Sequence, residues 1–332
     1  MKIIIENHIP FIHGIFDDVA DVVYLPSDQI TAEVMKDADA LITRTRTRCN
    51  EALLTGSKCR FIATATIGTD HIDLDYCHKA GITVVSAPGC NAPAVAQYVL
   101  TSIYHTVGDF CGHCLGVVGV GHVGSIVARW AEGLGMKVLR NDPIREENEG
   151  GDEFVSLAQI AGQCDIITFH TPHTLTGKYP THHLADGKFF NSLIRKPVVI
   201  NSARGPIVDT PMLIEALKEG KVSKTIIDCW EGEPSISTEL LSMASIATPH
   251  IAGYSYEGKV RATIAVAEAL AKHFNLNVRF LTEKPADAPD TVTLQELLSS
   301  YNPQVDTDNL KRNPEKFETL RNEYDFRHEP KV

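Results

Sequence analysis

Arg204, His250 and the carboxylates between them have side-chain types and spacing that could do chemistry. Arg204 stands in Asn201-Ser202-Ala203-Arg204-Gly205-Pro206-Ile207-Val208-Asp209, directly after a short apolar run. Asp228-Cys229-Trp230-Glu231-Gly232-Glu233-Pro234 and Thr248-Pro249-His250-Ile251-Ala252-Gly253 follow, each after another such run. A planar guanidinium can hold a carboxylate by two parallel hydrogen bonds. An imidazole, titrating near neutral pH, can take a proton from a hydroxyl. A carboxylate can orient that imidazole and stabilise its charged form. Beside a hydride acceptor, these are the parts needed to oxidise a 2-hydroxy acid.

The hydride acceptor has its own signature upstream. Gly119-Val120-Gly121-His122-Val123-Gly124 lies between an apolar run at 115–118 and a helix-like stretch at 125–134. Strand, three glycines at G-x-G-x-x-G spacing, then helix is the context in which this pattern binds a dinucleotide. A side chain there would keep a pyrophosphate from the helix N-terminus, where free N–H groups and the helix dipole favour negative charge. A second strand-like run, 136–140, is followed by Asp142, the place for an acid that binds ribose hydroxyls and repels the extra phosphate of NADP. NAD is therefore the expected cofactor, with Arg140 and Arg145 nearby as the features that weigh against this choice.

These side chains need a scaffold that sets them at strand ends. Short apolar, β-branched runs occur at 2–5, 22–25, 40–43, 61–63 and 82–85, then a long helical pattern at 93–105, then runs at 115–118, 137–139, 165–169, 198–201, 225–227 and 245–247. The runs are continuous and not alternating, as in parallel sheets covered on both faces. The expected fold class is α/β, with two doubly wound parallel-sheet domains, the second beginning near the glycine motif. Ligands bind such sheets beyond the carboxyl ends of the strands. Thr45, Thr66, Asp142, His170-Thr171, Arg204, Asp228 and His250 each follow an apolar run within a few residues, which points to a cleft between two sheets.

Composition narrows the class further. A chain of 332 residues suits two ordinary domains and a small appendage. The net charge of −11 argues against nucleic-acid binding, and no run approaches a membrane span. The eight cysteines follow no framework spacing; with an opening segment that reads as a strand and not a signal peptide, they lead us to expect reduced thiols and a cytoplasmic location. Cys111 and Cys114 form a C-x-x-C without a second pair, and no metal is expected.

On these residues the chain resembles the D-2-hydroxyacid dehydrogenase family, over about residues 40 to 284. Its N-x-[SA]-R-G, E-P and T-P-H elements fall on Arg204, Glu233 and His250, which the resemblance implies are catalytic; Glu231 is the competitor for the carboxylate role. The resemblance also implies a flavodoxin-like substrate domain at 1–92 to which the chain returns at 254–284, and a Rossmann NAD domain at 93–253. Residues 285–332 then form a C-terminal dimerisation extension that looks shortened, and two copies pair into a homodimer. Gly119, Gly121, Gly124, Asp142, Thr171, Asp228 and Gly253 would contact NAD. Segments 64–73, 87–92 and 177–184 resemble members of that family acting on a small phosphorylated 2-hydroxy acid, with Thr45, Thr66 and Tyr254 as substrate contacts. Arg44, Arg46 and Arg48, alternating with Thr45 and Thr47 in an acidic protein, fit a substrate phosphate. Two other readings stay open: a dehydrogenase of another 2-hydroxy acid, such as phosphoglycerate, and an NAD-sensing corepressor on the same fold. The paired histidines at 182–183, with His71 and His78, are expected to be surface or packing residues, and Gln97 stands where relatives often carry an acid.

Overall fold

Ile3, Ile4 and Ile5 are all fully buried, which a strand achieves only with both of its faces covered. The structure, a computed structural model, describes residues 1–331 and divides into two compact units. The first comprises Met1–Asn91 and Tyr256–Asp287, the second Ala92–Ser255 and the chain from Ala288 onward.

In the first unit five parallel strands, β1 (Lys2–Glu6), β2 (Asp21–Leu25), β3 (Ala40–Thr43), β4 (Phe61–Thr64) and β5 (Thr83–Val85), lie in the order β2-β1-β3-β4-β5. Successive side chains feed different cores, as a period of two requires. Ile3 and Ile5 join Ala262, Val266 and Leu270 of the long helix Tyr256–Phe274, whereas Ile4 packs with Met35, Leu54 and Cys77 on the opposite face. The five expected strands are all present, with bounds that differ by one residue at most.

The second unit holds six parallel strands, β6 (Cys114–Val118), β7 (Lys137–Asn141), β8 (Ile166–Phe169), β9 (Val198–Asn201), β10 (Lys224–Ile227) and β11 (Ile246–Ala247), in the order β11-β10-β9-β8-β6-β7. Strand order reverses beside β6, the point at which the connections from neighbouring strands diverge and such sheets bind ligands beyond the carboxyl ends. Leu115 and Val117 point into one core with the helix Ala92–Val107, while Cys114 and Val118 point into the other with Ile160 and Phe189.

The segment after Ala288 adds to this unit. Its helices Leu294–Ser300, Pro303–Arg312 and Phe317–Asn322 send Leu297 and Tyr301 into the first core and Leu310 and Phe317 into the second. Thr307 Oγ1 accepts a hydrogen bond from Ala247 N–H at 3.1 Å, satisfying a donor that the edge strand β11 would otherwise leave unpaired. Gln97, fully buried, donates to Ser300 Oγ and His328 O, both at 2.8 Å, and accepts from Arg327 Nε at 2.9 Å. A carboxylate could not make the two donations, which gives the amide at this position a physical reason. Among the described residues no helix is long and apolar enough to cross a membrane, and all eight cysteines are free thiols.

Candidate active site

The glycine motif sits at the reversal point of the second sheet. Gly119 has φ +87°, a conformation costly for residues with a Cβ, and a Cβ there would come within 2.8 Å of Thr171 N. One at Gly124 would come within 2.0 Å of Gly119 O, so both outer glycines are required by the protein's own packing. Gly121 differs: a Cβ there would meet nothing within 4 Å. The middle glycine thus leaves open room at the start of the helix His122–Gly133, as a pyrophosphate needs. Asp142, at the end of β7, braces this turn, accepting from Val120 N–H at 2.9 Å and from Arg145 N–H at 3.1 Å. Thr171 Oγ1 is a buried oxygen with no hydrogen-bond partner, the kind of group a ligand hydroxyl or amide would satisfy. These features fit NAD.

Arg204 follows β9, and the turn beyond it is pinned by Asn201. The Asn201 amide donates to the carbonyls of Arg204 at 2.9 Å, Gly205 at 3.3 Å and Cys229 at 3.2 Å, tying the loop after β9 to the loop after β10. Gly205 makes the approach possible, because a Cβ there would lie 2.0 Å from Trp230 O.

The loop after β11 is organised by Asp228. This buried carboxylate accepts from the Thr248 hydroxyl at 2.7 Å, Ile251 N–H at 2.8 Å and Ala252 N–H at 3.0 Å, while its own carbonyl accepts from His250 N–H at 2.9 Å. Burial pushes the Asp228 carboxyl up despite those bonds and the charge of His250. So held, His250 adopts φ +58°, uncommon outside glycine, and turns its ring to Glu233. Gly253 follows in the same loop, half-buried.

His250 Nδ1 lies 2.8 Å from Glu233 Oε2, and Glu233 Oε1 accepts from Trp230 N–H at 2.8 Å. Burial would raise the Glu233 carboxyl, but the charge of His250, these two hydrogen bonds and Arg321 at 4.0 Å together hold it below its ordinary value. An ionised carboxylate can only accept, so Nδ1 carries a proton, and in the neutral form of the ring Nε2 keeps its lone pair. Glu231 points elsewhere: it accepts from His183 at 2.6 Å and from Thr210 N–H at 2.9 Å. Cys229 Sγ lies within 4.8 Å of the Glu233 and His250 ligand atoms, but burial and the neighbouring carboxylates push this thiol well up, so it stays protonated.

Tyr254 lies 6.2 Å, ring to ring, from both Tyr324 and Phe326. In the first unit Thr45 and Arg46 are exposed after β3, and Arg44 instead donates to His8 O at 3.0 Å. Thr66 Oγ1 lies 2.7 Å from Thr64 Oγ1 and donates to Gly68 O at 3.1 Å. Sequence reasoning missed Asn201 and Thr248 as organisers, Arg321 as a neighbour of Glu233, and the pairing of His183 with Glu231 and Asp209. Only the motifs around Asn201 and Thr248 carried any signal for these.

A parallel sheet with a glycine turn at its reversal point, and a His–Glu pair on its strand-end loops, defines an NAD-dependent dehydrogenase. Residues 102–252 match the model for the D-isomer specific 2-hydroxyacid dehydrogenase NAD-binding domain. In solved structures, D-lactate dehydrogenase from Aquifex aeolicus complexed with NAD and lactic acid is similar at TM-score 0.71 and 25% identity, over 83% of this chain and 96% of that one. NAD-bound 3-phosphoglycerate dehydrogenase from Entamoeba histolytica is similar at TM-score 0.71 and 26% identity, over 85% and 99%. Erythronate-4-phosphate dehydrogenase of Bacteroides thetaiotaomicron is 49% identical over 100% of this chain and 98% of that protein, and that of Porphyromonas gingivalis is 40% identical over 100% and 94%. The chain belongs to the erythronate-4-phosphate dehydrogenase family.

Proposed function

We propose that this chain oxidises 4-phospho-D-erythronate to (R)-3-hydroxy-2-oxo-4-phosphobutanoate with NAD, a step of pyridoxal phosphate biosynthesis. The observation that carries the chemistry is the 2.8 Å contact between His250 Nδ1 and Glu233, which leaves Nε2 as a base. The Arg204 guanidinium holds the substrate carboxylate. His250 takes the proton of the 2-hydroxyl, and Glu233 keeps the ring in the required tautomer and stabilises its cation. When bound, NAD supplies the acceptor for the hydride leaving the same carbon. The products are then the 2-oxo acid, NADH and the proton held at His250.

Gly119, Gly121, Gly124, Asp142, Thr171, Asp228 and Gly253 form the NAD contacts in this reading, and Thr45, Thr66 and Tyr254 the substrate contacts. The exposed Thr45 and Arg46 support a phosphate contact after β3. Association into a homodimer and a cytoplasmic location belong to the same reading, supported by the family resemblance.

The test is NADH formation from 4-phospho-D-erythronate, with 3-phosphoglycerate and D-lactate in parallel. Turnover of phosphoerythronate alone supports reaction and substrate together. Efficient turnover of another acid instead keeps the chemistry and overturns the substrate, and tight NAD binding without any turnover overturns both.

A further inference from the structure

Arg321 lies on the short helix Phe317–Asn322, almost seventy residues beyond the end of the matched NAD-domain model. Phe317 and Leu320 anchor that helix in a core of the second unit, and the Arg321 side chain, 16% exposed, reaches the catalytic pair. One guanidinium nitrogen is 4.0 Å from Glu233 Oε2, the oxygen that faces His250 Nδ1, and Arg321 Nε is a buried donor with no hydrogen-bond partner of its own. A mostly buried cation beside a carboxylate is an expensive arrangement unless the carboxylate is ionised. The remaining charged and titratable groups around Glu233 are His250, Asp228, Cys229, Arg204 and Tyr254. With the Cys229 thiol neutral and Arg204 assigned to the substrate carboxylate, Arg321 is the cation paired with Glu233 that takes no part in the reaction.

We propose that Arg321 is a positioning residue for catalysis, a cation supplied by the C-terminal segment that keeps Glu233 ionised and bonded to His250. The proposal rests on the assignment of His250 as the base. A cation at this range lowers a carboxylate by about one to three pH units, and Arg321 acts in the same direction as His250 and Trp230 on Glu233. Removing the cation makes protonation of the adjacent Glu233 and His250 easier, so the free base is lost at higher pH.

The experiment compares the full-length protein with Arg321→Gln and Arg321→Lys. The readouts are kcat/KM for phosphoerythronate against pH, NAD affinity, thermal midpoint, and a substrate-free NMR titration of the His250 ring nitrogens. Arg321→Gln is expected to move the acid limb and the NMR titration upward together by about one unit, a roughly tenfold loss on that limb. NAD affinity is expected to hold, and Arg321→Lys to restore most of the loss. If both profiles match wild type, or activity falls with a lowered midpoint and an unmoved titration, Arg321 has no positioning role. If the parent protein itself does not oxidise phosphoerythronate, the proposed substrate fails, and the NMR displacement alone still decides for or against Arg321.

Discussion

Replacing Gly205 by alanine tests whether the closeness of the loops after β9 and β10 matters to catalysis. The added Cβ would sit 2.0 Å from Trp230 O, 2.2 Å from Trp230 C and 2.6 Å from Glu231 N, all backbone atoms, and real Cβ atoms stay at least 3.0 Å away. The loops must therefore separate by about 1 Å, because no flexible side chain can move aside instead. Arg204 precedes this contact directly, and Glu233 is three residues past Trp230 and bonded to its N–H. A displacement of about 1 Å between groups that share one substrate costs on the order of a hundredfold in rate. Overpacking of this kind destabilises by about 1–3 kcal/mol, and each kcal/mol lowers the midpoint of a unit this size by roughly 2–4 °C. Stopped-flow turnover with saturating NAD and a thermal melt would measure both. NAD affinity is expected to change little, since the glycine turn after β6 lies in another loop. A folded Gly205→Ala protein with wild-type kcat would refute the reasoning, since the separation would then have no bearing on catalysis.

His250→Ala is expected to lower kcat by roughly a hundredfold or more while NAD affinity, followed by fluorescence titration, is retained; loss of NAD affinity alone would mean that the histidine is not the base. Glu233→Gln is expected to lower kcat strongly, whereas Glu231→Gln keeps kcat and lowers the thermal midpoint, because Glu231 holds His183 and Thr210 N–H; steady-state kinetics and melts of the two variants separate these outcomes. His170 is pushed down by burial to about 3 from its ordinary 6.5. The unfolded chain therefore binds a proton that the folded chain refuses, so stability present above about pH 6.5 is lost as pH falls toward 3, and His170→Gln should flatten that part of a denaturation-midpoint curve.

The parallel sheets were legible because burial on both faces imposes continuous apolar runs, and runs such as 40–43 and 198–201 coincide with β3 and β9. The glycine turn was legible because backbone geometry dictates it: two of its glycines cannot carry a Cβ, and the third faces open space. Glu233 was harder. Glu231 and Glu233 are separated by one residue and carry the same group, and only the course of the turn decides which meets His250. Nothing in local composition encodes that course. It depends on Gly205 pressing against Trp230 and on Asn201 bridging two loops, which are contacts between segments some 25 residues apart.

The C-terminal segment was the least legible part, and the reason bears on how the site works. Its helices are short and their apolar residues few, so their burial depends on a partner surface that periodicity cannot reveal. Gln97 supplies part of that surface: its amide donates two bonds to, and accepts one from, residues more than two hundred positions away. Arg327 extends the anchor by donating to the carbonyls of Ala94, Ile251 and Tyr254. The carbonyls of Ile251 and Tyr254 belong to the loop that holds His250, so the segment that carries Arg321 also fixes the loop that carries the base. Anchoring and charge thus arrive on one stretch of chain. A truncation before Leu294 should therefore cost catalysis through two routes at once, the freed 251–254 carbonyls and the lost Arg321 cation, whereas Arg321→Gln removes only the second.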